Sequence, residues 1–256
     1  MRTIFLGAAA LLLAGSAAGA QNGAEPARQS LTISLGAIQE NRRDDADSPL
    51  AYSGRGPGAL IEYDFSRAKR HWHISFGGGG ANLVAVTDVI ADVPPKETFN
   101  VFTLSGGMDW MLRGGFAVGF DVAATATLVR HIYEGQALSQ QNFDFGEFTI
   151  APIARWNRRL FSGELTASLA VPLISGIDHP YADVRFANQF SNIHFAPLSQ
   201  FRQLDGAVSY AFASTRRTGV TVTYHIDAMQ LDERERVRRV GQTLSVGVVR
   251  RLGVKE

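Results

Sequence analysis

Several residues that could carry acid–base chemistry occupy alternate positions in runs of extended sequence. His225 and Asp227 are separated by one apolar residue, so both side chains face the same side of a strand. An imidazole beside a carboxylate can act as a general base with an orienting acid. Ten further ionisable residues share this alternating placement: Glu62, Asp64, His71, His73, Asp109, Asp121, Glu147, Arg155, Glu164 and Asp205.

Metal binding is a weaker interpretation of the same residues. His71 and His73 could ligate a cation with Glu62 or Asp64, but they follow a basic turn at residues 67–70, which favours hydrogen bonding to those carboxylates. The acidic run at residues 44–47 lacks the glycine and the terminal glutamate of a calcium loop. We therefore predict no metal site and no cofactor.

The element that must position these side chains is clearest at residues 102–128. Apolar residues alternate with small or polar ones from Phe102 to Leu112, the chain turns at Arg113-Gly114-Gly115, and the alternation resumes from Phe116 to Leu128. A period of two predicts a β-hairpin with one apolar face. Each arm has ten or more residues, the length that a tilted strand needs to cross a bilayer.

The same pattern recurs along the chain and predicts about ten strands, with eight and twelve as alternatives. Short turns alternate with long polar connections, which we place at residues 41–56, 88–97, 133–144, 175–200 and 232–239. A tight turn is predicted at Asn157-Arg158-Arg159, and residues 182–186 and 192–195 could form a further hairpin. This alternation is typical of bacterial barrels, whose short turns face the periplasm.

A closed barrel explains where the ionisable residues point. Facing lipid they would be very costly, so the apolar positions face lipid and the ionisable ones face the lumen. The ten residues and the His225–Asp227 pair then form a predicted lumen network. Mutual pairing is the simpler role for buried charges of both signs, and it would fill a narrow lumen.

The two ends of the chain and its composition fit an exported protein. A basic start, a short apolar core and Ala18-Gly19-Ala20 predict a signal peptide over residues 1–20. Residues 21–29 form a short periplasmic lead, and residues 30–256 form the barrel. The absence of cysteine excludes disulfides and a lipoprotein anchor. A net charge of +1 gives no reason to expect a nucleic-acid partner.

Aromatic residues occur near the predicted short turns, although they belong to different strands. In a closed barrel they would lie at one height and form an interfacial girdle at the periplasmic rim. The predicted girdle consists of Trp72, Trp110, Trp156, Phe116, Phe161 and Phe212. The run Gly77 to Gly80 inside a strand pattern predicts a bend or a close approach in the wall.

Across residues 30–252 the chain resembles bacterial outer-membrane β-barrels as a class, by pattern and without a signature motif. The resemblance implies a monomer in the Gram-negative outer membrane that contacts lipid and the assembly machinery. Such barrels commonly end on an aromatic residue, whereas this chain ends Gly253-Val254-Lys255-Glu256. Omptin proteases are ten-stranded members, but His225-Ile226-Asp227 is not their Asp-x-His order, and no second acidic pair is evident.

Four functions follow from these observations. The first is a barrel with a filled lumen whose long outer loops serve a binding, adhesion or structural role through a ligand that the sequence does not name. The second is an outer-membrane hydrolase, either an omptin-like protease or a lipid-modifying enzyme, that uses His225 and Asp227. The third is a narrow, porin-like transport pore. The fourth is a soluble barrel with its apolar face inside.

Overall fold

The computed structural model describes residues 28–45, 48–86, 94–133, 136–137, 142–178, 194–213, 217–232 and 236–252. The predicted signal peptide and most of the lead lie outside these residues. The strands in chain order are β1 Arg28–Asp44, β2 Ser48–Arg67, β3 Arg70–Val86, β4 Lys96–Met111, β5 Phe116–Tyr133, β6 Gln136–Ala137, β7 Asn142–Leu160, β8 Gly163–Ala170, β9 Ile174–Asp178, β10 His194–Ala196, β11 Phe201–Ala213, β12 Thr218–Asp232 and β13 Arg236–Leu252. Among the described residues no helix is long and apolar enough to cross a membrane.

Ten antiparallel strands close into a ring, which confirms the predicted fold class and strand number. The order is β1-β2-β3-β4-β5-β7-β8-β11-β12-β13, and β13 pairs back onto β1 from Gln29↔Leu252 to Asp44↔Val237. β9 continues the line of β8 along β7, while β6 and β10 are short additions at one end. Closure gives each of the ten wall strands a paired neighbour on both sides over most of its length, with β11 unpaired on the β8 side at residues 201–204.

The apolar outward face begins at the short turns and covers only part of each strand. On β13, for example, Leu244, Val246 and Val248 point outward and are more than half exposed. We call this surface the apolar band, and it runs through equivalent positions on the neighbouring strands, including Ile33, Leu35, Ile61, Phe76, Phe102, Val118, Phe120, Leu169, Val208, Phe212, Val220 and Tyr224. Exposed apolar area on this scale requires an apolar environment such as lipid.

Beyond the band the wall continues and its polarity reverses. Outward residues of β1 become Gln39, Asn41 and Arg43, while inward Ile38 is buried. The half of the barrel away from the short turns, which we call the outer half, therefore has the pattern of a water-soluble barrel, with a buried apolar interior and a polar exterior. This reversal corrects two predicted loops: residues 41–56 and 232–239 belong mainly to strands, with only 45–47 and 233–235 between them.

Two other predicted connections are also wrong. The predicted turn at Asn157-Arg158-Arg159 is strand, because β7 continues to Leu160 and reverses at Phe161–Ser162, where Phe161 has a φ of 52°. The predicted loop 175–200 begins later, since β9 and β10 pair with each other inside it. Residues 182–186 of the alternative hairpin lie outside the described residues.

The glycine run marks a close approach, as the sequence predicted. Gly79 lies under the inward side chain of Ile38, and a Cβ at Gly79 would come within 2.6 Å of the Pro57 carbonyl oxygen. Gly58, its cross-strand partner, lies under the same side chain. The glycines therefore make room for a buried inward isoleucine where the interior becomes apolar.

Candidate functional site: the barrel lumen

The half of the lumen near the short turns contains a histidine held between two carboxylates. His71 Nε2 lies 3.0 Å from Asp64 Oδ1, and its Nδ1 lies 3.2 Å from Asp109 Oδ2. Arg155 Nη1 lies 3.1 Å from Asp109 Oδ2 and 2.8 Å from His71 Nδ1. Both ring nitrogens of His71 are therefore engaged, which leaves no free lone pair for general-base catalysis.

The adjacent inward positions continue this network. His73 Nε2 lies 2.8 Å from Asp121 Oδ1, and the His71 and His73 rings stack with their centroids 5.9 Å apart. Glu62 lies next to Asp64 on the same face of β2, close enough to His71 and His73 to interact electrostatically. These contacts bring together seven members of the predicted network on β2, β3, β4, β5 and β7.

Glu164 lies apart from these residues, at the opening beside the short turns. It pairs in register with Arg159 across the β7–β8 turn and lines a cavity of about 320 Å³. Phe161 and Phe212 also line this cavity. Glu164 is exposed there, so it belongs to the rim and not to the enclosed network.

The predicted dyad of His225 and Asp227 is divided between different partners. His225 Nε2 lies 2.9 Å from Asp205 Oδ2, and these side chains are 37% and 44% exposed inside the lumen. Asp227, one inward position further along β12, pairs with Arg239 and accepts a 3.0 Å hydrogen bond from Gln203 Nε2. His225 thus has an orienting acid, but it is Asp205 on β11.

A buried cluster around Arg239 was not predicted, because residues 232–239 were interpreted as a loop. The Arg239 cluster comprises Glu40, Thr127, Glu147, Gln203, Asp227 and Arg239. Besides Asp227, Arg239 contacts Glu40 (Nε to Oε1, 4.0 Å) and Thr127 (Nη1 to Oγ1, 3.4 Å). Gln203 Nε2 donates to Glu147 Oε1 at 3.2 Å. The alternation of Val237 with Arg239 could have revealed that β13 begins before Arg239.

This cluster holds three carboxyl groups and one guanidinium. Among the described residues, Glu40 Oε1 and Glu147 Oε2 have no hydrogen-bond partner. Glu40 lies beyond the apolar band, and burial raises its pKa from 4.5 to about 7, although nearby Arg239 opposes the shift. Because the raised pKa lets Glu40 be protonated, the cluster avoids the cost of burying more negative than positive charge.

Two apolar clusters fill the interior beyond Arg239. One consists of Phe145, Ile177, Ala196, Phe201, Met229, Leu231 and Val237. The other consists of Tyr52, Ala81, Leu83, Ala85, Phe99 and Val129. Arg42 and Glu97, 3.9 Å apart and buried, also lie in this half. We call the Arg239 cluster together with the two apolar clusters the outer seal, because most of its side chains are buried.

The predicted girdle residues lie outward at the rim that carries the short turns. Phe116 packs against Trp156 with ring centroids 6.4 Å apart, and Trp110 lies 6.2 Å from Phe120. Trp72 pairs in register with Phe65, and Phe212 lies 4.5 Å from Tyr210. Phe161 occupies the turn itself and is fully exposed. Aromatic rings at this height suit a membrane interface.

Within the described residues, no group of three or more histidine, aspartate or glutamate side chains is arranged to hold a metal ion. The exposed His225–Asp205 pair retains an acid–base geometry, while the other ionisable residues of the lumen are mainly paired with one another. The His225–Asp205 pair can therefore exchange a proton with a molecule in the lumen, while the other ionisable residues neutralise one another.

Comparison with known proteins identifies the fold. No protein-family model matches this chain, and no curated protein matches it. The outer membrane protease OmpT from Escherichia coli is similar with a TM-score of 0.51 and 9% identity, over 91% of this chain and 99% of OmpT.

Two further solved structures align less closely. The translocator domain of the autotransporter NalP from Neisseria meningitidis has a TM-score of 0.42 and 7% identity, over 97% and 95% of the two chains. The attachment invasion locus protein Ail of Yersinia pestis has a TM-score of 0.37 and 11% identity, over 86% and 97%. At such identities only the fold is comparable. This chain has the fold of the bacterial outer-membrane β-barrels, as a closed ring of ten antiparallel strands.

Proposed function

We propose that this protein is an integral outer-membrane barrel whose lumen is closed and whose outer loops serve a binding, adhesion or structural role. The observation that carries the proposal is the outer seal. Buried apolar side chains and the Arg239 cluster fill the outer half of the lumen in the described residues. A ten-stranded wall encloses little more than its own side chains, so this seal leaves no path for a solute.

The seal lies in the half of the lumen away from the short turns. Arg155 pairs with Asp109 near the short turns, but inward positions across the lumen there are small, such as Ser209, Thr223 and Ser245. The interior is packed tightly only where inward residues become large and apolar. A closed lumen is not suited to transport through the barrel. A binding role would then belong to the outer loops.

The position of the apolar band supports the orientation of the barrel. The band adjoins the short turns, while the polar extension of the wall adjoins the connections at the opposite end, of which 45–47 and 233–235 are as short as the turns and the others are longer. Bacterial barrels place short turns in the periplasm. We therefore assign the polar extension to the cell exterior, where it raises the paired strands β9 and β10 above the membrane.

Conductance in a planar bilayer tests the closed lumen. The full-length mature protein should insert without producing stable current steps. Removing part of the seal by Arg239→Ala together with Leu231→Ala should produce steps, whereas Arg155→Ala, which lies below the seal, should remain silent. Stable steps from the unmodified protein that change with Arg155→Ala would refute the closed lumen and establish a pore.

Loop deletion tests where the binding function lies. Replacing residues 179–193 by a short glycine–serine linker should abolish surface binding to cells or matrix and preserve folding, because stability comes from the closed wall. Deleting residues 87–93 in the same way provides a matched control. The protein that lacks residues 87–93 should still bind. Binding that persists in the protein that lacks residues 179–193 would contradict the proposal.

The hydrolase alternative rests on the His225–Asp205 pair, which is partly exposed inside the lumen. Because the pair lies on the periplasmic side of the outer seal, a substrate would have to enter past the short turns. An activity that survives deletion of residues 179–193 but disappears in His225→Ala would favour this alternative. Asp227→Asn provides the control, since Asp227 belongs to the seal.

A further inference from the structure

The cavity beside the β7–β8 turn has no part in the proposed function. It lies at the short-turn opening of the barrel, has a volume of about 320 Å³, and is lined by residues of β7, β8, β11, β12 and β13. The lining residues of β11 and β12 include Ala211 and Gly219, whose small size leaves the space open. We call this space the mouth cavity. Its volume is at the lower end of the range for small-molecule sites.

Two oppositely charged side chains line the mouth cavity. Arg159 on β7 and Glu164 on β8 are directly opposite each other in the register of these strands. Opposite residues have Cβ atoms about 5 Å apart, which is close enough for an ion pair. Among the described residues, however, neither side chain forms an ion pair or a hydrogen bond, and both are exposed. Their charged groups are therefore available to a ligand.

Arg251 on β13 supplies the third charged group. It is an exposed residue of the cavity lining, and its backbone N–H donates to the Arg217 carbonyl oxygen at 2.7 Å. A guanidinium has several N–H donors, so Arg251 can bind a ligand in addition to any contact that it already makes. The lining thus presents two guanidinium groups and one carboxylate. A ligand with two carboxylates and one ammonium group would complement this set.

The connections next to the mouth cavity do not reverse this balance of charge. By sequence, residues 214–217 contain two arginines and no acid, residues 253–256 contain one lysine and one glutamate, and the lead at 21–27 contains one glutamate. Deeper in the lumen, the carboxylates of Asp64 and Asp109 are already engaged by His71. A ligand with one more negative than positive charge therefore remains favoured.

The turn at the edge of the mouth cavity carries an aromatic ring without a packing role. Tyr210 Oη fixes the end of β7 by donating to the Leu160 carbonyl oxygen at 2.8 Å. Phe161 follows with a φ of 52°, at a position where short hairpin turns favour asparagine or glycine. Its side chain is fully exposed and lines the cavity. Both features cost free energy in the isolated barrel, and contact of the ring with a ligand would offset that cost.

We infer that the mouth cavity binds an amino acid or short peptide that carries two carboxylates and one free amino group. Arg159 and Arg251 bind the carboxylates through charge-assisted hydrogen bonds, and Glu164 accepts hydrogen bonds from the ammonium group. The Phe161 ring covers the apolar part of the ligand. This inference goes beyond the proposed function, because it depends neither on a closed lumen nor on the outer loops. The proposed orientation places the site in the periplasm.

Peptide binding to the purified full-length barrel tests the inference. The protein in a zwitterionic detergent is titrated with the dipeptide Ala-Glu, with N-acetyl-Ala-Glu, which lacks the ammonium group, and with Ala-Gln, which lacks one carboxylate. Affinities are measured by ligand-observed NMR. The cavity variants are Arg159→Gln, Glu164→Gln and Phe161→Asn, and the control is Arg158→Gln, an exposed residue outside the lining. Heat-modifiable mobility on a gel confirms folding, and Arg159→Lys replaces Arg159→Gln if the latter fails to fold.

The unmodified protein and the control should bind Ala-Glu about fivefold more tightly than either analogue, the scale of exposed charge pairs. Glu164→Gln should lose the preference for the free amino group, and Arg159→Gln should lose the preference for the second carboxylate. Arg159→Lys should reduce the latter preference. Phe161→Asn should weaken the binding of all three peptides, because asparagine tolerates the positive φ and only the ring is lost.

Equal affinities for the three peptides in the unmodified protein, or unchanged preferences in the cavity variants, would overturn the inference. Displacement of Ala-Glu by inorganic phosphate at the same concentration would also overturn it, since any small anion would then suffice. Displacement by phosphatidylglycerol would overturn it in favour of a lipid headgroup site. Stable conductance steps together with the expected peptide preferences would refute the proposed function alone, whereas a silent bilayer without these preferences would refute only this inference.

Discussion

Replacing Glu40 by glutamine should remove a pH dependence from the stability of the barrel. Glu40 is 3% exposed, and its inward side chain lies beside Arg42 of the same strand, Arg239 of β13 and Asp227 of β12. Burial disfavours its ionised form more than Arg239 favours it, so its pKa rises from 4.5 to about 7. Glutamine has nearly the same shape and carries no charge at any pH.

The sign and size of the effect follow from proton linkage. The folded state binds the Glu40 proton more tightly than the unfolded state does, so the free energy of unfolding decreases as the pH rises from 4.5 to about 7. At about 1.4 kcal/mol per pH unit, the full difference is about 3 kcal/mol. Above pH 7 the cost is complete, and below pH 4.5 it is absent.

Urea unfolding of the barrel in lipid vesicles can measure this difference. The three tryptophans lie outward at the lipid-facing rim, so their fluorescence reports loss of the membrane-inserted barrel. Unfolding midpoints are compared at pH 5 and pH 8 for the unmodified protein, for Glu40→Gln and for Glu164→Gln. Glu164 is exposed at the short-turn rim and serves as a matched control.

The unmodified protein and Glu164→Gln should lose the same stability between pH 5 and pH 8, and Glu40→Gln should lose about 2.5 kcal/mol less, because part of the full difference is already lost at pH 5. Buried carboxyl groups outside the Arg239 cluster contribute equally to all three proteins and cancel in the comparison. The reasoning would be refuted if Glu40→Gln kept the full pH dependence of the unmodified protein, because Glu40 would then be ionised at pH 5 and neutralised by Arg239.

Three further predictions concern the wall and its orientation. Leu169→Lys on the apolar band should cost about 2–4 kcal/mol, whereas Thr223→Lys, inward among small residues, should cost less; equal costs in urea unfolding would argue against lipid contact. Gly79→Ala should destabilise the barrel by about 1–3 kcal/mol through overlap with Pro57 and Ile38, while Gly206→Ala, where the nearest atom is 3.5 Å away, should be tolerated. Single cysteines should react with an impermeant reagent on whole cells only at the outer sites, and reaction at the inner sites instead would reverse the orientation. The outer sites are Asp45 and Lys96, and the inner sites are Ala68 and Ser162.

The space around an inward residue is a detail that the sequence could not supply. Alternation predicts that Thr125 faces the lumen, and it does, but Thr125 is buried, with its Oγ1 3.1 Å from Thr103 Oγ1. A lysine there would meet packed side chains. Period-two alternation shows the direction in which a side chain points, whereas the space available depends on which strands face each other across the lumen.

The aromatic rim and the lipid-facing surface could be predicted from the sequence because both are properties of single strands. A strand places successive side chains on opposite faces, so Trp72, Trp110 and Trp156 must point outward if their apolar neighbours do. The number of strands followed in the same way from counting apolar runs. The reversal of polarity beyond the band was missed, because a polar outward face over a buried interior resembles a loop in composition, and only short alternations such as Val237 with Arg239 distinguish it.

Most partners of the ionisable residues were decided by the tertiary structure, although the sequence had indicated hydrogen bonding of His71 to a carboxylate such as Asp64. His225 and Asp227 are neighbours on one face in the sequence, yet the register of the β11–β12 and β12–β13 pairs places Asp205 of β11 beside His225 and Arg239 of β13 beside Asp227. The sequence by itself determined the barrel class, the strand number and the inward direction of these side chains, because these depend on local alternation. Only the tertiary structure decided where the lumen is sealed and which charges meet, because those contacts depend on strand register and, as for Arg239 with Thr127, on strands that are far apart in the chain.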